Sequence, residues 1–244
     1  MVTSVGTTTG TTSLLSQAIS AAKSNAATNA AAASNTTTSS ASSSSLSSLG
    51  GNFNQFLTLL TTQLQHQDPS NPTSTDSFTA ELAQFAGVQQ QVETNTNLTS
   101  LISATQDNQM ASAVSLIGKT TTASTSSLPL QSGSASLSFT APQAGDVAIA
   151  ITDSTGTVVK SETVDASVGT NTWTWDGKNN SGTQLNNGAY TVAVEGNSTD
   201  GTTVALPTTV TGTVTGVSKG TSGVNIDMGS ATINMSDLTG FSST

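Results

Sequence analysis

Cysteine is absent from the 244 residues. That excludes a disulfide scaffold, a Cys-ligated zinc site and a thiol nucleophile. Arginine is absent too, and five lysines stand against fourteen carboxylates for a net charge of −9. Phosphate neutralisation needs clustered Lys or Arg, so nucleic acid is excluded as a partner. Docking on an anionic membrane surface is disfavoured for the same reason. Charge of either sign is scarce, at 8% of residues against about 25% in ordinary globular domains. No stretch reaches 18 consecutive apolar residues, so no membrane insertion is expected. The start, MVTSVGTTTGTTSLLSQAIS, lacks a basic region followed by a continuous apolar one. It does not read as a secretory signal peptide, and any passage out of the cytoplasm would use another route.

Ser, Thr, Ala, Asn and Gly fill the space that charge leaves. Their distribution divides the chain. Residues 1–50 are low in complexity, and Leu14, Leu15 and Leu46 are too few to offset the entropy of ordering the segment. It is expected to be disordered, with a transient helix over 13–33 where alanine is dense. Composition alone leaves open a plain flexible tail or a recognised export signal.

From residue 51 the periodicity is helical. Phe53, Phe56, Leu57, Leu60 and Leu64 share one face of a first helix. Pro69 and Pro72 in HQDPSNPTSTD end it. Thr75 suits a helix N-cap, with Asp76 favourable in the first turn. A second helix carries Phe78, Leu82, Phe85, Val88 and Val92, then Leu98, Leu101 and Ile102 more sparsely. Its early spacing resembles a coiled-coil seam, interrupted at Gln89 and Thr96. The helix is expected to reach about Ile117 and stop at Gly118, a rod of roughly 45–60 Å. Gly87 in its middle costs about 1 kcal/mol relative to Ala and would mark a bend or a close helix contact.

Beyond Gly118 the pattern is β. LSFTAP, DVAIAITD, TVVKSETV, TNTWTWDG and AYTVAVEG alternate apolar and polar residues between Gly, Asn and Asp turns, which predicts a small sandwich over 135–198. Val147, Ile149 and Ile151 share a face of one strand; Trp173 and Trp175, and Tyr190, Val192 and Val194, share faces of two others. Val210, Val214, Val217, Val224, Ile226 and Ile233 mark a further set of short strands. The segment GKTTTAS has no partner inside the sandwich and is expected to pair with this tail. The two pieces, 118–134 and 199–244, would form a small barrel interrupted by the sandwich.

No constellation in the chain carries catalysis. His66 is the single histidine. It precedes Asp68-Pro69 at a helix end, where it caps carbonyls or faces solvent. Asp176, Lys178, Asn180 and Gly182 loosely follow a calcium-loop spacing, but Lys178 stands where an oxygen ligand belongs and the closing Glu is missing. A hairpin turn is the expected structure there. Asp146, Asp153, Glu162 and Asp165 form no acid–base pair by spacing. Phosphate-loop, dinucleotide and nucleophile-elbow motifs are absent. No enzyme activity, cofactor or metal is expected. The helix pair remains. Its stripe either covers the β region or, being long and flanked by amides rather than charges, associates with other helices.

Several runs of residues resemble one family. Gln63-Leu64-x-x-Gln67-Asp68-Pro69-x-Asn71-Pro72 followed by Phe78-Thr79-Ala80-x-Leu82-Ala83-Gln84-Phe85 resembles the N-terminal region of bacterial flagellar hook-capping proteins. Trp175-Asp176-Gly177-Lys178, Ser181-Gly182 and Asn187-Gly188-x-Tyr190 resemble that family's immunoglobulin-like or fibronectin type III-like insert. Gly212-x-Val214-x-Gly216-Val217 is similar to its Tudor-like barrel. The resemblance covers residues 50 to about 238.

The resemblance implies a fold of separate α and β regions. A disordered tail (1–50) would lead into a helical capping and oligomerisation region (51–117). A Tudor-like barrel (118–134 and 199–244) would carry the inserted sandwich (135–198). It implies a ring of identical chains, expected to be a pentamer, at the distal tip of the growing rod and hook. There the ring would promote polymerisation of hook subunits, and it would be absent from the mature flagellum. The implied partners are the chain itself, hook protein subunits, the distal rod and the flagellar type III export apparatus. Location would be cytoplasmic before export and extracytoplasmic afterwards. The apolar assembly seam is then Phe56, Leu60, Leu64, Phe78, Leu82, Phe85, Val88 and Val92, with Gln63 beside it. Asp68, Pro69, Asn71 and Pro72 would shape the loop between the helices. The competing reading is a secreted or surface immunoglobulin-like ligand-binding module on a helical stalk.

Overall fold

Alanine builds the first helix. In the computed structural model, which describes residues 8–34, 75–220 and 222–242, α1 spans Thr8–Ser34. The expected disorder of residues 1–50 therefore does not hold over this stretch. Alanine has the highest helix propensity of any residue, and tertiary packing supplies the rest. Leu14, Ala18, Ala22 and Ala26 are buried along one face. Counting leucines underestimates this helix because its buried side chains are methyl groups set against other methyl groups.

The chain divides into two units, residues 1–34 with 108–244 and residues 35–107. A helix, α2 (Thr75–Ala113), about 58 Å long at 1.5 Å per residue, is the described part of the second unit as far as residue 107 and belongs to the first unit from residue 108. Gly87 lies inside it without interrupting it, and a side chain there would meet nothing within 4 Å. The α-helix ends earlier than Ile117. A 3-10 turn, Val114–Leu116, follows it, and Gly118 takes φ +83°, a left-handed conformation natural to glycine. Met110, Ala113 and Leu116 pack into the core of the first unit.

Thirteen strands are described in the first unit. β1 (Thr120–Ser124), β3 (Ala135–Ala141), β6 (Gly169–Trp175), β9 (Thr208–Thr213) and β13 (Leu238–Ser242) form one sheet in the order β13-β1-β9-β3-β6. GKTTTAS thus supplies β1, which pairs with β9 on one side and β13 on the other. β2 (Ser127–Leu130), β4 (Gly145–Thr152), β5 (Val158–Ala166) and β7 (Gly188–Asn197) form the second sheet, ordered β2-β7-β4-β5, with β8 (Thr203–Ala205) also on β7. β10 (Gly216–Gly220), β11 (Gly223–Met228) and β12 (Ala231–Asn234) make a third. Sequence patterning missed β2 and β8. β2 contains Pro129 and accordingly lies at a sheet edge, where the missing N–H is tolerated.

Sandwich and tail strands share one core. Leu137, Ile149, Ile151, Trp175, Val192 and Val194 belong to the same buried cluster as Val214, Val224, Ile226, Met228 and Ile233. The sheets share strands as well, since β9 pairs with β3, Leu137 standing opposite Val210. Gly212 sits where backbone meets side chains closely: a Cβ there would come within 2.7 Å of the Met228 sulfur and 2.9 Å of Pro129 Cγ.

Three hairpin loops repeat one solution. Asp153–Thr157, Asn179–Thr183 and Ser198–Thr202 each end in Gly-Thr. In each, the glycine N–H donates to the first residue's carbonyl and the first residue's N–H donates to the threonine carbonyl, at 2.8–3.0 Å. Gly156, Gly182 and Gly201 all take φ near +80°, as a three-residue hairpin loop ending in a left-handed residue requires.

Trp175 anchors this end of the sandwich. It is 1% exposed, and its indole N–H donates to the Lys178 carbonyl at 2.8 Å. Tyr190 meets it edge-on with ring centroids 5.0 Å apart. The Tyr190 hydroxyl donates to the Asn186 carbonyl at 2.9 Å, resembling the tyrosine corner of immunoglobulin-like sandwiches. Trp175→Ala should cost about 3–5 kcal/mol, measured as a lower urea midpoint of the full chain; a loss below about 1 kcal/mol would remove Trp175 as the anchor.

Candidate functional site

The turn at 176–184 is spent on its own geometry. Lys178 N–H donates to Asp176 Oδ1 at 3.1 Å. Asn179 Oδ1 accepts from the N–H groups of Ser181 and Thr183 at 3.0 and 2.9 Å. Among the described residues, no three His, Cys, Asp or Glu side chains converge to hold a metal. Two of the carboxylates weighed for chemistry, Asp153 and Glu162, are occupied similarly. Burial pushes Asp153 up, but hydrogen bonds from Thr155 and Thr157 outweigh it and leave the carboxyl below its ordinary value. Glu162 accepts the Trp173 indole N–H at 2.7 Å and pairs with Lys160 at 2.9 Å.

Two surfaces remain. The first is α2. Phe78, Phe85 and Val92 recur at seven-residue intervals, and Val88 and Ile102 stand fourteen apart, so two neighbouring rows run along one side in coiled-coil register. Val88 is 42% exposed, Leu98 51%, Leu101 64% and Ile102 58%. Val92 is half-buried. Leu98 and Leu101 broaden the apolar side beyond the expected seam. The flanking Thr94, Thr96, Thr99, Ser100 and Thr105 bond back to carbonyls of their own helix. Of the other expected seam residues, Phe78, Leu82 and Phe85 lie on α2, with side chains outside the description. Phe56, Leu60, Gln63, Leu64, Asp68, Pro69, Asn71 and Pro72, with His66, lie outside the described residues.

The second surface is the outer face of the β2-β7-β4-β5 sheet, which α1 covers. Ala148, Ala150 and Ala193 are buried there against Leu14, Ala18 and Ala22. The inner face of the same strands carries Val147, Ile149, Ile151, Val192 and Val194. Sequence reading passed over this contact. Its signal was alanine in strand positions that point away from the core, where a solvated face would carry polar residues. Glu195 continues the patch under Thr12, Ser13, Ser16, Gln17 and Ser20 and is 7% exposed.

Exposed apolar side chains along a helix joined to a β unit point to a structural assembly protein. The family model of the flagellar hook capping protein N-terminal region matches residues 9–100, and that of the FlgD Ig-like domain matches residues 124–200. The chain is 33% identical over 186 residues to the basal-body rod modification protein FlgD of Salmonella typhimurium, covering 72% of this chain and 80% of that one. Identity and coverage are the same for FlgD of Escherichia coli. The crystal structure of FlgD from Xanthomonas campestris aligns with a TM-score of 0.47 at 27% identity, over 55% of this chain and 99% of that one. The chain belongs to the FlgD family of flagellar hook capping proteins.

Glu195 makes the α1 contact sensitive to pH. Burial disfavours its charged form and raises its pKa above the ordinary carboxylate value. The neutral form is therefore favoured in the folded protein. Stability from this group is fully present below the unfolded pKa and is lost as pH rises through the raised folded value. Glu195→Gln should gain on the parent chain as pH rises from about 4 to 8, and the two should converge at the acid end. Urea titrations across that range test this; parallel curves would sink it.

Proposed function

We propose that the chain caps the growing hook as a ring of identical subunits. A part in flagellar hook assembly, as a structural scaffold and not an enzyme, follows from family membership. The finer reading is a ring, a pentamer by family resemblance, held at the distal tip of rod and hook while hook subunits polymerise. In this reading the ring is absent from the finished flagellum. The chain reaches that place through the flagellar type III export apparatus, using the segment within residues 1–50. Self-association proceeds through the helical region 51–117. The β unit, read as a barrel (118–134 and 199–244) bearing a sandwich (135–198), supplies the rest of the ring.

The observation that carries this reading is the exposure of Val88, Leu98, Leu101 and Ile102 on one helix. Leu98, Leu101 and Ile102 are neighbours at helical spacing, and grouped exposed apolar side chains mark interaction sites. The amide- and hydroxyl-rich surroundings suit a contact with other helices, because neutral polar groups desolvate more cheaply than charges. Competing with this is a ligand-binding module in which the helices are only a stalk.

Val88→Asp and Ile102→Asp put charges on side chains that the monomer leaves exposed, so the β unit should keep its fold. Each should abolish self-association in sedimentation and block hook growth in cells; Leu64→Asp and Phe85→Asp should act alike. Normal hooks from all four would refute the seam. Deletion of the gene, followed by electron microscopy of hook–basal bodies, tests the role itself. Basal bodies without hooks, with hook protein in the medium and rescue by the full chain, are expected. Normal hooks would favour the ligand-binding module.

A further inference from the structure

The patch beneath α1 is six residues in three cross-strand pairs. Ala148 stands opposite Glu195, Ala150 opposite Ala193, and Thr152 opposite Thr191. Polar contacts set the helix in register on it. Thr152 Oγ1 donates to the Ala22 carbonyl at 3.3 Å. Asn25 Nδ2 donates to the Val192 carbonyl, and Asn29 Nδ2 to Thr191 Oγ1, both at 3.3 Å. Gln17 Nε2 reaches Thr203 Oγ1 at 3.4 Å.

Two properties make this contact separable. The patch has no large apolar side chain: those of β4 and β7 point to the opposite face, where they are closed off without α1. Uncovering Ala and Thr exposes little apolar surface, so the β core does not depend on the helix for its own closure. The second property is connectivity. Forty residues separate Ser34 from Thr75, and α2 adds 39 more before the β unit begins. A tether of that length confers only a modest local concentration. The same helix from another chain can then compete for the face, at a disadvantage set only by that local concentration.

We propose that this sheet face is a helix-docking surface whose occupant is exchangeable between copies, α1 of a second chain taking the place of the chain's own. Exchange of an identical element links copies without any new interface chemistry. The helix must match the surface: small side chains at four-residue spacing, with Asn25 and Asn29 one turn apart to reach Val192 and Thr191. The proposal stands apart from the capping role and from the α2 seam, since neither supplies the exchange.

The test uses the full chain carrying Ala22→Glu and a fluorescent peptide of residues 8–34. The substitution puts a carboxylate at a fully buried position against the sheet and unseats the chain's own helix. The peptide should bind this variant saturably by fluorescence anisotropy. It should bind the parent chain about tenfold or more weakly, because there it must displace a tethered competitor. A peptide with its own Ala22→Glu change should not bind. Nor should the unchanged peptide bind a chain that also carries Ala150→Glu on the sheet. Emission from buried Trp175 reports the β core throughout. Absence of peptide binding with native Trp175 emission would overturn the proposal. Collapse of the β core in the Ala22→Glu chain would overturn it too, by making α1 an integral layer.

Discussion

Ile149 opposite Val194 and Ile151 opposite Val192 are the cross-strand pairs on which the β unit is built. All four are at most 2% exposed, and their face closes a core that runs from the sandwich strands into Val214, Ile226 and Met228 of the tail. Because side chains alternate along a strand, committing these residues inward sends Ala148, Ala150 and Ala193 outward. A fully polar outer face would have been solvated. An alanine face instead accepts a helix at close range, and α1 has the complementary methyl row. Strand β4 is thereby buried on both sides, and the N-terminal segment is held by the domain farthest from it in sequence.

The scarcity of charge has a consistent meaning across the molecule. On α1 and α2, hydroxyl side chains bond back to their own helix, which blunts their demand for water. Turns are closed mainly by Asp or Asn side-chain oxygens that accept backbone N–H groups, and by glycine. Such surfaces can be covered and uncovered at low desolvation cost. Among the described residues, Glu195 is the one charged side chain kept under cover, and burial raises its pKa.

Much of the architecture was legible in residue patterns. DVAIAITD and AYTVAVEG announced β4 and β7 by strict alternation, and DSTGT announced its hairpin by chemistry local to five residues. The apolar spacing of Phe78, Phe85, Val88 and Val92 was legible in the sequence, although the exposure of Val88 was not. Three features escaped. α1 was read only as a transient helix over 13–33, and its docking was hidden because alanine carries little hydrophobicity per residue and its partner lies more than a hundred residues away. β2 was hidden by Pro129, and β8 by its three-residue length. The end of α2 was legible to within a turn: Val114–Leu116 continue it as a 3-10 turn, and Gly118 in a left-handed conformation stops it.

The sequence by itself determined the class of structure. Periodicity of 3.6 or 2 is a local property, as are Gly-Thr turns, missing Cys and Arg, and sparse charge. Only the tertiary structure decided which faces meet. The single sheet joining β1, β9 and β3, the shared core of sandwich and tail, and the docking of α1 on β4 and β7 all depend on long-range pairings. Each side of such a contact shows only half of its reason in the chain: a row of small side chains becomes a binding face when its counterpart is folded against it.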